Sequence, residues 1–215
     1  MALFLLSPPI MLTLTKRLLI IPFCFAASAH AVFINGGPGL ENPAATIDFT
    51  EVSLPAGTPL NTQYSSYGVT FAGMYYDSVH FGDSKRAFNF QTLGSPTNPF
   101  SIFFNVSQTE AGFDFITQGG SITTFQAYLG GNLKDTGIAN TGNESFYGFK
   151  GVTFDEIRIS VTGGNDIEDG PVAGLTNIQF SNAASNAVPD AGSTVALLGM
   201  SVAGLGLLRK KMRLA

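Results

Sequence analysis

The side chains of this 215-residue chain that could do chemistry are carboxylates and tyrosines. Asp166, Glu168 and Asp169, in Gly163-Gly164-Asn165-Asp166-Ile167-Glu168-Asp169-Gly170, bring together oxygen donors of the kind a calcium ion takes. Asp166 and Asp169 are the candidate ligands. The order is not that of an EF-hand loop, because Ile167 falls at a ligand position if Gly170 is the turn glycine, and a solvated acidic loop is the better reading. Tyr64, Tyr67, Tyr75 and Tyr76 each offer an apolar plate with a hydroxyl, which can stack on a sugar face; core packing explains tyrosines at such positions equally well. The chain has no tryptophan, the commonest sugar platform. His80 lies between Val79 and Phe81 in a strand pattern and reads as a strand residue rather than a base. No G-x-S-x-G, H-E-x-x-H, P-loop or S-x-x-K spacing occurs, so the common nucleophile, zinc and phosphate mechanisms lack their parts. A glycosidase needs two carboxylates about 5–10 Å apart. The acidic residues could supply such a pair, but their spacing singles none out, and no enzymatic activity is expected.

These residues sit in a middle segment that differs from both ends. Apolar residues make up 21 of 31 in residues 1–31 and 15 of 28 in residues 188–215, but 60 of 156 in residues 32–187. The middle still holds 16 Phe and all 6 Tyr, enough for one core. With five basic residues against fourteen acidic, its net charge is −9, which leaves no electrostatic footprint for nucleic acid. The one cysteine, Cys24, lies in the N-terminal apolar run, so the middle can form neither a disulfide nor a thiolate metal site.

Lys16-Arg17, the apolar run from Leu18 to Ala27, and the small residues Ala29 and Ala31 around His30 have the form of a secretory signal peptide over residues 1–31. Cleavage is expected between Ala31 and Val32, by signal peptidase after passage through the Sec translocon. Met11 makes the more typical start, so residues 1–10 are expected to be a start-site artefact. At the other end an uncharged run, residues 195–208, is followed at once by a basic tail, residues 209–215. Fourteen residues span about 21 Å as a helix, and residues 191–194 extend this to a marginal membrane span. The basic tail would stay in the cytoplasm, leaving the body outside.

The segment Val188-Pro189-Asp190-Ala191-Gly192-Ser193-Thr194, then the apolar run, then Arg209-Lys210-Lys211, resembles the PEP-CTERM protein-sorting signal. It is most similar to the VPDSG variant, with Ala191 in place of Ser. The resemblance implies that Val188, Pro189, Asp190, Ala191 and Gly192 form a motif read and cleaved by an exosortase. It further implies an exported protein, held transiently in the inner membrane with its body in the periplasm, then passed to the cell surface or extracellular matrix alongside exopolysaccharide.

Between the ends, short alternating segments separated by Gly, Pro, Asn and Ser predict an all-β body over residues 32–187. Expected strands are residues 46–52, 68–74, 79–81, 87–91, 100–106, 111–117, 121–129, 145–149, 154–162 and 175–181, which suit a two-sheet antiparallel β-sandwich of jelly-roll type. The alternation is strictest in Ile157-Arg158-Ile159-Ser160-Val161, where one face is buried and the other wet. Thr46-Ile47-Asp48-Phe49, Leu54-Pro55-Ala56-Gly57-Thr58, Gly68-Val69-Thr70-Phe71, Gly112-Phe113-Asp114-Phe115 and Leu175-Thr176-Asn177-Ile178 together resemble galactose-binding-like sandwich domains. That resemblance implies a structural calcium where the first and last strands meet, held by Asp48 or Glu51, although the last strand has Thr176 where such domains usually offer an Asp. No other cofactor is expected. The expected function is a non-enzymatic exported surface or matrix protein. The alternatives are a carbohydrate-binding module and, third, a glycoside-active hydrolase with an unrecognised carboxylate pair.

Overall fold

A computed structural model describes residues 31–78, 86–91, 95–164 and 170–182 of the chain. The body is all-β, and every strand pairing in it is antiparallel. In chain order the strands are β1 (Val32–Asn35), β2 (Ala45–Ile47), β3 (Pro59–Leu60), β4 (Val69–Ala72), β5 (Met74–Asp77), β6 (Arg86–Phe88), β7 (Phe100–Thr117), β8 (Ile122–Leu129), β9 (Asn132–Asn140), β10 (Ser145–Thr162) and β11 (Ala173–Asn182).

Two strands of 18 residues, β7 and β10, pair along their length and run through the whole body. Their halves have different outer neighbours. The first half of β7 and the second half of β10 lie between β4 and the β8–β9 hairpin; the other halves lie between β1 and β11, which continues to β2, β6, β5 and β3. The expected two sheets are thus two half-sheets of one continuous ladder, joined where β7 and β10 bend. The ladder register slips on either side of Phe154 at the bend, as it does where strands pass from one layer to another.

The bend also switches which side chains point inward. In β7 the buried aromatic and aliphatic residues are Phe100, Ile102 and Phe104 before the bend, then Ala111, Phe113 and Phe115 after it. The inward set moves from even to odd positions, which only an irregularity in the pleat allows. The inner faces meet through aromatic rings. Phe125 of β8 lies 5.5 Å from Phe33 of β1, 5.4 Å from Phe115 of β7 and 5.2 Å from Tyr147 of β10, centroid to centroid. Each such pair adds about 0.5–1.5 kcal/mol beyond the area it buries. Phe33 presses on Gly137 of β9, where a Cβ would stand 2.1 Å from its ring.

Several expected boundaries move. The strand expected over 46–52 stops at Ile47, because Phe49 takes φ +65° and the Asp48 carboxylate turns back to accept from Thr50. The strand over 68–74 is cut into β4 and β5 by Gly73 at φ +74°. Segments 100–106 and 111–117 fuse into β7, and 145–149 and 154–162 into β10. Strands β1, β3 and β9 were not anticipated, and β9 begins directly after Gly130-Gly131. The strand expected over 79–81, with His80, lies outside the described residues, as do Ala29 of the expected signal peptide, the sorting motif and the expected C-terminal helix. Among the described residues no helix is long and apolar enough to cross a membrane.

Candidate functional site

The tyrosines expected as stacking plates divide by burial. Tyr64 and Tyr76 are 0% and 2% exposed, packed in the core, so neither offers a face to a sugar. This corrects the reading of those two residues, and the cause is local. Tyr64 is wedged edge-on between Phe49 and Phe71, and Tyr76 faces inward on β5 beside Met74. Burial pushes the Tyr64 phenol well above its usual range, with the nearby Glu51 charge adding to it. Tyr76 is raised by burial and then by Asp77. Tyr67 is 42% exposed and its hydroxyl donates to the Glu51 carbonyl at 3.5 Å. Tyr75, half-buried on β5, pairs across to Phe88.

Asp48 and Glu51 share one tight turn at the end of β2. The Asp48 Oδ1 accepts from the Thr50 N–H at 2.9 Å and from the Thr50 hydroxyl, and Glu51 Oε1 accepts from the Asp48 N–H at 3.0 Å. These bonds hold the turn without a metal. Glu51 Oε2 is buried with no hydrogen-bond partner, and so is the Tyr64 hydroxyl. Glu51 Oε2 is therefore the atom of this turn best suited to a cation. Among the described residues no three His, Cys, Asp or Glu side chains gather where they could share a metal ion. Asp166 and Asp169 lie outside the described residues.

The two outer faces of the ladder differ. On the half-sheet carrying β1 and β11, Phe88 and Phe146 are buried although they point away from the main core. Arg86, also buried, pairs with Glu144 at 2.7 Å. A polar chain on the same side, Asp114–Asn177–Gln179, ends on the Leu40 N–H, so the loop after β1 lies against it.

The other outer face is open. Phe103 of β7, Glu156 of β10 and Tyr128 of β8 stand in one cross-strand row, and Ser101, Arg158 and Gln126 stand in the next. Phe103 is 36% exposed, while Glu156 and Ser101 between the larger side chains are each 6% exposed. Glu156 Oε1 accepts from Ser101 Oγ at 2.8 Å and from Arg158 Nε at 3.0 Å, and lies 3.0 Å from Arg158 Nη2. The Arg158 guanidinium lies over the Tyr128 ring at 4.5 Å, and the Tyr128 hydroxyl donates to Gln126 Oε1 at 3.1 Å. This gives a polar floor between an exposed ring and a stacked cation.

None of these six residues was singled out as a site from the sequence. A signal did exist: Phe103-Phe104 are adjacent in a strand, so one ring must face outward, and Arg158 lies on the wet side of the strictest alternation in the chain.

Residues 187–212 match the model of the VPDSG-CTERM motif, so the C-terminal sorting signal read from residues 188–194 and the apolar and basic segments behind it is present. No curated protein matches the chain. Solved structures similar to it include the module CsCBM6-3 from Clostridium stercorarium in complex with cellobiose. That likeness has 17% identity and a TM-score of 0.32, and covers 65% of this chain and 94% of the module. A family 29 carbohydrate-binding module is similar at 13% identity and a TM-score of 0.34, with 76% of this chain and 97% of the module covered. A variant of a module of that family, complexed with mannohexaose, is similar at 13% identity and a TM-score of 0.35, with 74% and 98% covered.

Proposed function

We propose that this is an exported, non-enzymatic protein, cut from its signal peptide between Ala31 and Val32 and delivered to the cell surface or extracellular matrix by an exosortase acting at residues 188–192. The observation that carries the proposal is the VPDSG-CTERM match over residues 187–212, which begins soon after the last strand ends at Asn182. The match therefore follows the last described strand in the sequence, and cleavage at the motif leaves all of the described strands intact. The apolar run behind it holds the chain in the inner membrane until processing. The intact mass of the mature protein from its host tests this. Loss of residues 1–31 and of the segment behind the motif is expected, and a surface form that retains residues 195–215 would replace sorting with permanent anchoring.

A second reading concerns the body, which serves in that matrix as a polysaccharide-binding module. The open face around Phe103 and Arg158 favours it, because an exposed aromatic beside paired polar groups is what recognises sugar rings. A pull-down of the full chain on insoluble and soluble polysaccharides tests it, and retention on none of them would leave the body a structural unit alone. A calcium ion at Glu51 Oε2 would serve this module as a structural clamp. Its signature would be a rise in melting temperature with added calcium that is absent from Glu51→Gln.

A further inference from the structure

The open face is shaped as a trough that crosses the strands. Neighbouring strands lie about 4.8 Å apart, so Phe103 on β7 and Tyr128 on β8, with β10 between them, stand about 10 Å apart at the backbone. That is the length of a disaccharide in an extended chain. On the β4 side the rows end in the small residues Thr70 and Ala72, which pair with Phe103 and Ser101, and the aromatic ring stays partly exposed. Phe103 makes no ring contact with any neighbour among the described residues.

The polar floor is saturated on one side only. Glu156 Oε1 takes bonds from Ser101 and Arg158, whereas Glu156 Oε2 accepts none and Arg158 Nη1 donates none among the described residues. A spare acceptor and a spare donor therefore lie side by side next to an exposed ring. Two adjacent hydroxyls of a sugar satisfy both, one donating to the carboxylate and one accepting from the guanidinium, while the C–H face of a ring rests on Phe103. The charge within the trough is already balanced, because Arg158 is paired with Glu156. With five basic residues against fourteen acidic across residues 32–187, the surrounding field repels further negative charge.

We propose that this trough binds a neutral, extended polysaccharide running across the strands. One sugar lies on Phe103 and another, a disaccharide length away, lies at Arg158 and Tyr128; polymers bearing carboxylates or sulfates are rejected. This assignment rests on the polysaccharide-binding reading of the body.

Affinity electrophoresis of the full chain in gels containing glucomannan, hydroxyethylcellulose, alginate or polygalacturonate separates the outcomes. Retardation by a neutral polymer is expected, weakened tenfold or more by Phe103→Ala and by Arg158→Gln and unchanged by Val106→Ser, which alters an exposed residue at the bend. Phe103→Ala removes an exposed ring and keeps the fold, which its melting temperature checks. Neutral-polymer binding that survives both Phe103→Ala and Arg158→Gln overturns the trough while polysaccharide binding stands. Tighter binding to alginate or polygalacturonate at low salt overturns the neutral-ligand assignment. Failure to bind any of the four polymers overturns both the trough and the reading beneath it.

Discussion

Asn89 is fully buried, and its amide is spent on the backbone. Nδ2 donates to the carbonyls of Thr97 and Pro171 at 3.1 and 2.9 Å, and Oδ1 accepts from the Ala173 N–H at 2.8 Å. Asn89→Ala leaves three backbone groups without those partners, so a loss of about 3 kcal/mol or more is expected in urea denaturation. Tyr64 works in the opposite sense, because its buried hydroxyl has no partner. Tyr64→Phe should leave stability unchanged or raise it by up to about 1 kcal/mol. Burial, and then Glu51, hold the Tyr64 proton more tightly in the folded state than in the unfolded chain. Stability from this group is therefore complete below the ordinary phenol value of about 10 and falls as pH rises above it. Tyr76 and Tyr147, both raised by burial, push in the same direction. Melting temperatures across about pH 8 to 11 should drop at the alkaline end, less steeply in Tyr64→Phe. An identical profile in the variant would show that Tyr64 is not the source.

The β8–β9 hairpin turns on two residues, Gly130 and Gly131, at φ +56° and +77°, a primed turn that matches the twist of its strands. Nothing lies within 4 Å of a Cβ at either position, so an alanine there meets backbone strain alone, about 1–2 kcal/mol each. Gly148 is different: a Cβ would stand 2.1 Å from the Ala111 carbonyl oxygen on the paired strand. Gly148→Ala should force β10 off β7 and lower the melting temperature more than either turn substitution. The elements were legible where alternation is local, as in Phe113/Phe115, Phe125/Ala127 and Ile157/Ile159/Val161, all of which are buried. The fusion of segments into β7 and β10 was not legible, because each half keeps its own alternation and only the bend relates their phases. Nor was the trough. It depends on the register among β7, β8 and β10, strands that come together through long-range pairing, whereas Tyr64 and Tyr76, two of the four tyrosines that drew notice in sequence, belong to the core.

At the scale of the whole molecule, the acidic middle and the two apolar ends divide the chain by composition, and the sorting end was the part most plainly written, since its three pieces are contiguous. The open face of the body was written in fragments spread from Ser101 to Arg158, and only folding assembles them. Phe33 shows how closely the N-terminal boundary meets the core, since it lies two residues from the expected cleavage point and touches Phe125, Tyr147 and Phe149. Phe33→Ala should cost about 3 kcal/mol, read as a shift in the urea midpoint. The last strand has a mechanical consequence. β11 is ten residues long and is bonded to β7 on one side and to β2 and β6 on the other. Tension drawn along it from its C-terminal end loads these bonds together in shear, whereas the edge strand β9, bonded on one side to β8, would peel bond by bond. The last described strand is held on both sides, so tension applied at its C-terminal end is resisted at forces that would strip a hairpin.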